Sequence, residues 1–218
     1  MPPATLWTIL GSVGIFVAFA FADGPSWVGD HVALGGAALR RGEIWTLASS
    51  LLIHLDAREL LANGIGIWAF GAPLERIWGA LGLVRFLVVV GVLANVATAA
   101  FALLGGPGLV GGLGASTLGL VVAWAEAFGH LRIGLFGSVI VARHLAYFVL
   151  GVALLGSFVS GSALHIVHLL AGVAAAWLLV RRRLPPPREL AVRFLRWRKR
   201  RRLRVVPGGP RDEPTRWN

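Results

Sequence analysis

The chain has 218 residues, 56% of them hydrophobic and 14% charged, with mean hydropathy +0.75 and a formal net charge of +11. Soluble domains are about a quarter charged and about 45–50% apolar. These values therefore exclude an ordinary water-soluble domain, and the lack of cysteine excludes disulfides, thiolate nucleophiles and Cys-based metal sites.

About 20 apolar residues suffice to cross a bilayer, and six such spans are predicted, about 5–22, 58–77, 84–104, 115–131, 142–158 and 162–180. The expected fold class is an all-α membrane protein, with a transmembrane domain over 1–180 and a basic tail over 181–218. The first run, Thr5 to Ala22, lacks the basic start and small-residue cleavage site of a signal peptide and is read as a retained span. Residues 23–57 form a long first loop, too polar for a span around Asp23 and Asp30. Its second half, Ile44 to Leu55, is apolar enough to lie at the membrane interface. Residues 105–114 are a glycine-rich break, and Gly161 with Ser162 makes a tight turn before the last span.

Charge sets the expected orientation. Residues 1–180 carry seven basic and seven acidic side chains, whereas 14 of the 21 Lys and Arg residues lie between Arg181 and Arg216. The run Arg181-Arg182-Arg183 places the C-terminal end of the last span in the cytosol, and six spans then place the N-terminus there too. Arg76, Arg85 and Arg132 fall in inner loops, the outer breaks at 105–114 and 159–162 are uncharged, and Arg40 with Arg41 is the exception. A basic tail directly after a span is expected to meet anionic lipid headgroups rather than nucleic acid. A prokaryotic plasma membrane is the expected location.

Polar side chains at membrane depth are costly and mark candidate function. Arg143, His144 and Glu126 lie near cytosolic helix ends and can snorkel, and Asn95 can bond a neighbouring helix. Asn63, Ser116 and the pair His165 and His168 remain. At 1.5 Å per residue, Asn63 lies about 18 Å above Glu75, Ser116 about 21 Å above His130 and His168 about 20 Å from Arg181. All three then sit about 10 Å beneath the outer surface of a core about 30 Å thick. That common level fits a buried polar site, and it equally fits side chains that glue helices together.

The segment GEIWTLASSLLIHLDARELLANGIGIWAFGAPLERIWG, Gly42 to Gly79, resembles the first-loop and second-helix block of rhomboid proteases at Trp45, His54, Asn63, Gly71, Glu75 and Gly79. Gly114-Ala115-Ser116 is similar to the family's G-x-S-G nucleophile motif, and HIVHLLAG to its catalytic-histidine helix. The resemblance covers about residues 42–180 and implies a six-transmembrane-helix rhomboid-like bundle. Four positions depart from it: Thr46 follows Trp45 where the family has Arg, Glu59 stands for a histidine, Thr117 for the glycine after the serine, and Ala171 for the glycine three after the histidine (or His168, in the register that starts from His165).

The resemblance implies an intramembrane serine endopeptidase with a Ser/His dyad, cleaving transmembrane protein substrates near the outer membrane face, with no cofactor and no metal. Ser116 would attack the scissile carbonyl and a histidine would relay the proton. Asn63 would donate to the oxyanion, aided by the Ser116 N–H at its helix N-terminus. Glu59, Gly114 and the second histidine would line the site. His168 is preferred to His165 as base because it matches Ser116 in depth and has small residues, Ala171 and Ala175, at +3 and +7. The pattern of the family, with glycine at +7, instead favours His165, for which that residue is Gly172. The alternative function is a non-catalytic protein of the same fold that binds transmembrane helices. A small transporter is a weaker third reading, since no inverted repeat is visible.

Overall fold

The helical segments follow the hydropathy of the chain closely. The computed structural model describes residues 1–21, 25–135 and 138–183. In chain order its elements are α1 (Pro3–Phe21), α2 (Pro25–His31), β1 (Leu34–Gly35), α3 (Gly36–Arg40), α4 (Thr46–Ser49), α5 (Ala57–Gly66), α6 (Ala72–Trp78), α7 (Ala80–Leu103), β2 (Leu109–Val110), α8 (Gly114–Phe128), β3 (Arg132–Leu135), β4 (Ser138–Val141), α9 (Ala142–Val159) and α10 (Ala163–Arg183). A 3-10 turn, Ser50–Leu52, follows α4, and a π turn, Ile67–Gly71, joins α5 to α6. The tail beyond residue 183, with most of the basic residues assigned to lipid, lies outside the described residues.

Each of the six predicted spans has a helical counterpart, yet only four helices among the described residues are long and apolar enough to cross a membrane: α1, α7, α9 and α10. The segment expected at 58–77 is divided by its π turn. The one expected at 115–131 is α8, whose 15 residues give a length of about 22 Å at 1.5 Å per residue. That helix is buried at every position from Gly114 to Trp124. An apolar helix with no polar face belongs at the centre of a bundle, and α8 packs against α5, α7, α9 and α10.

Small residues let the helices approach. A Cβ on Gly172 of α10 would stand 2.6 Å from Ala115 of α8, and one on Gly119 would stand 3.1 Å from the Ala176 methyl. The crossing therefore runs through Ala115 and Gly119 on one helix and Gly172 and Ala176 on the other, a small-residue pairing at four-residue spacing. Of the two small residues expected at the contact with the serine helix, Ala171 and Ala175, Ala175 is buried in a cluster with Val122 of α8 and Val90 of α7. The π turn brings Gly66 and Gly71 onto α8, where added Cβ atoms would meet Thr117 Cγ2 at 2.4 Å and Leu120 Cδ1 at 3.2 Å.

Two polar devices tie the periphery down. Glu75, buried in α6, accepts from the backbone N–H groups of Ala4 (2.9 Å) and Thr5 (2.7 Å) and from the Thr5 hydroxyl (2.6 Å). A carboxylate thus satisfies the first-turn N–H groups that α1 cannot bond internally. Within the first loop, Glu43 takes His31 Nδ1 at 2.8 Å and Arg41 Nε at 2.9 Å. The Arg41 guanidinium holds the Glu43 carboxyl below its ordinary range.

The first loop carries more structure than its polarity suggested. It contains α2, α3 and α4, and β1 pairs antiparallel with β2 from the glycine-rich break. A second ribbon, β3 with β4, places Arg132 opposite Val141 between α8 and α9. Ile44, Trp45, Leu52 and Leu55 of the predicted interfacial stretch are exposed.

Candidate functional site

Polar side chains inside the bundle fall into two groups on opposite sides of α8. The first is a closed seam between α7, α8 and α10. Ser116 is fully buried and its Oγ donates to the Leu87 carbonyl of α7 at 2.7 Å. Gly91, one turn on, leaves room for that hydroxyl, since its Cβ would stand 2.7 Å from Ser116 Oγ. His168 is also buried, with Nδ1 3.3 Å from Thr98 Oγ1. The Thr98 hydroxyl gives its proton to the Ala94 carbonyl at 2.7 Å, so Nδ1 is the donor to Thr98. Nε2 of His168 has no partner. Ser116 and His168 therefore lie on packed helices without a hydrogen bond between them.

Asn95 completes the seam. Its Nδ2 donates to the Leu47 carbonyl of α4 at 2.8 Å and to Ser50 Oγ at 2.9 Å, binding the first loop to α7. Gly91, Asn95 and Thr98 recur at spacings of four and three, one face of α7. Sequence reasoning passed over Thr98 and Gly91, and that periodicity was the available signal.

The second group faces an open cavity of about 740 Å³ bordered by α5, α8, α9 and α10, with the exposed Phe148 and Val152 at its rim. Glu59, Asn63, Gly114, Thr117, Ser157 and His165 line it together with Phe70, Leu118, Val121, Val149, Val152 and Leu169. Ser116 and His168 are not among its lining residues. Asp56 accepts from the N–H groups of Arg58 and Glu59 and so starts α5. This places Glu59 in the first turn and Asn63 one turn further along. A Cβ on Gly114 would stand 3.6 Å from Glu59 Oε1 and 3.9 Å from Asn63 Oδ1. Successive helical residues turn by about 100°, so Gly114 and Thr117 share a side while Ser116 points almost opposite to Gly114.

Several cavity atoms are buried and unbonded: Glu59 Oε1, Asn63 Nδ2, Thr117 Oγ1 and Ser157 Oγ. His165 enters through α10, its backbone N–H held by Ser162 Oγ at 3.3 Å and its ring centroid 6.2 Å from that of His168. Behind the cavity, His54 is buried in the loop before α5 with neither ring nitrogen bonded. Burial alone pushes its pKa down to about 4. Gly112 separates His54 from Glu59. Its φ of +80° suits glycine, and a Cβ there would lie 2.8 Å from both Glu59 Oε1 and His54 Cδ2. Among the described residues, no three or more His, Asp or Glu side chains are grouped so as to hold a metal ion.

The sequence profile of a family described as a eukaryotic integral membrane protein (DUF1751) matches residues 8–182. The chain belongs to this family. No curated protein matches it. As a DUF1751 member it is an integral membrane protein, and the match includes every helix that frames the seam and the cavity. The eukaryotic description does not fit the prokaryotic plasma membrane expected from the sequence.

Proposed function

We propose that this DUF1751 protein is a non-catalytic, six-span bundle of rhomboid-like arrangement that holds a transmembrane segment of another protein in the cavity between α5 and α9. One observation carries the reading. Beside Asn63 and Glu59, at the N-terminus of α8, stands Gly114, which has no side chain, while the Ser116 hydroxyl is turned to the Leu87 carbonyl on the far side. A hydrolytic site needs a nucleophile within reach of its oxyanion donors and its base. What faces the cavity instead is an apolar wall interrupted by a few polar atoms, a composition suited to recognition of an apolar segment.

The serine-protease reading assigns Ser116 as nucleophile, His168 or His165 as base and Asn63 as oxyanion donor. It requires Ser116 to leave its carbonyl partner and reach round α8. Orientation follows from the basic residues, with both termini cytosolic and the tail from Arg181 against anionic headgroups.

The test has two arms. Fluorophosphonate should label the wild-type protein no more than Ser116→Ala, and labelling that disappears in Ser116→Ala would establish the protease instead. In liposomes, a fluorescent polyleucine transmembrane peptide should bind the wild-type protein saturably, and Ala153→Trp, which fills the cavity, should weaken binding about tenfold or more. Unchanged binding by Ala153→Trp would place the peptide elsewhere.

A further inference from the structure

The cavity contains a carboxylate that has a backbone hydrogen bond from Leu55 but no side-chain partner among the described residues. Glu59 Oε1 is buried without a hydrogen-bond partner, and Glu59 makes no ion pair among the described residues. The groups around it do not supply one. Asp56, three residues earlier on the same helix, carries the same sign and uses its carboxylate to cap α5. Arg58, on the same helix, is exposed at the cavity rim. His54 lies across Gly112 with both ring nitrogens unbonded, and His165 faces the cavity from α10.

Three further orphaned atoms line the same space, on Asn63, Thr117 and Ser157, each residue more than nine-tenths buried. In hydrocarbon an unbonded polar group is expensive, and an unpaired carboxylate more so. The lining carries Asp56 and Glu59 against Arg58, a net of one negative charge, and the buried part of it, Glu59 with Asn63, Thr117 and Ser157 in an apolar wall, is complementary to an apolar segment bearing one positive charge. The Thr117 and Ser157 hydroxyl oxygens can accept the remaining N–H bonds of an ammonium, which has three donors, whereas the orphaned Asn63 Nδ2 is itself a donor.

We infer that Glu59 selects the partner: the cavity takes a transmembrane segment that carries a single basic side chain, and Glu59 pairs with it. The inference rests on the helix-binding reading above and adds to it the chemistry of the occupant. Pairing with an opposite charge is the usual way a membrane-embedded ion is tolerated, and removing one partner of such a pair exposes the cost of the other.

The experiment uses the full chain in liposomes and two synthetic probes, an all-leucine transmembrane peptide and the same peptide with one lysine in its outer third. Wild type should bind the lysine peptide about ten- to a hundredfold more tightly than the leucine peptide. Glu59→Gln should bring the ratio of the two affinities, measured within the variant, to about one, and Glu59→Asp should keep part of the preference. Equal binding of both peptides by wild type, or a preference that survives in Glu59→Gln, overturns the assignment of Glu59 and leaves the helix-binding reading standing. Failure of both peptides to bind wild type overturns both together. Circular dichroism melts of each variant separate lost recognition from lost fold.

Discussion

The two sides of α8 hold the same kinds of side chain and treat them differently. Toward α7 and α10, the Ser116 and Thr98 hydroxyls and the Asn95 amide nitrogen each have a partner within 2.9 Å. Toward α5 and α9, the atoms on Glu59, Asn63, Thr117 and Ser157 have none. Residue type does not separate the two groups, since each contains a hydroxyl, an amide and a histidine. The state of the hydroxyls does: Ser116 and Thr98 are bonded and Thr117 and Ser157 are not, although Asn95 Oδ1 and His168 Nε2 in the seam are also without partners. A hydroxyl spent on a neighbouring carbonyl holds helices together, whereas an orphaned one bordering a cavity is available to an occupant.

The sharpest way to break the seam is to overfill it. Gly172→Leu would drive a side chain into Ala115, whose Cβ and carbonyl oxygen already lie 2.6 Å from the position of a Cβ. Overpacking on this scale costs about 3 kcal/mol or more, and the backbone oxygen cannot rotate away. The expected result is a protein that unfolds at much lower temperature or is not recovered folded from detergent. A Gly172→Leu variant with wild-type melting would mean that α8 and α10 do not cross at this point.

The contrast within α8 is tested by one substitution on each side. Ser116→Ala removes a buried hydrogen bond and leaves the Leu87 carbonyl without that donor, a loss of about 1 kcal/mol, while peptide binding per folded molecule should hold. Thr117→Val removes a hydroxyl that has no partner, so stability should be unchanged or slightly raised, whereas binding of a transmembrane peptide should weaken. Thermal melts and binding isotherms on the same preparations read both. The reverse pattern, with stability falling in Thr117→Val and binding falling in Ser116→Ala, would exchange the roles of the two faces.

The sequence made the helices legible and left the facing of their side chains open. Hydropathy located α7 at 80–103 against an expected 84–104 and α10 at 163–183 against 162–180, because long uncharged runs admit no other placement in a bilayer. The ribbons β1–β2 and β3–β4 were missed: their strands are two to four residues long, too short for an alternating pattern to register. Depth was the criterion that grouped Asn63, Ser116 and His168, and depth fixes only one helical coordinate. The other is the angle around the axis, and the two-residue step from Gly114 to Ser116 turns that angle by about 200°. Glu59 was legible as a departure from the rhomboid pattern. Its lack of a side-chain partner depends on how α5 sits against Gly112 and α8, which no local spacing encodes.

The effect confined to the narrowest range of conditions concerns the protein's response to acid, and it comes from His54 behind the cavity. Burial favours the neutral ring and sets its pKa at about 4 in the folded state, against about 6.5 in an unfolded chain. The unfolded state therefore binds the proton more readily. Above pH 6.5 both states are neutral at this residue and it contributes nothing to pH dependence. As pH falls from about 6.5 toward 4 the unfolded chain takes up a proton that the folded protein refuses, and stability declines. His54→Gln holds a polar side chain of similar size without a titrating group, so its melting temperature should vary less with pH between 6.5 and 4, while above pH 7 the two curves should run parallel. If wild type and His54→Gln lose stability in parallel through that window, His54 is charged or bonded in the folded protein, and the acid response belongs to another group.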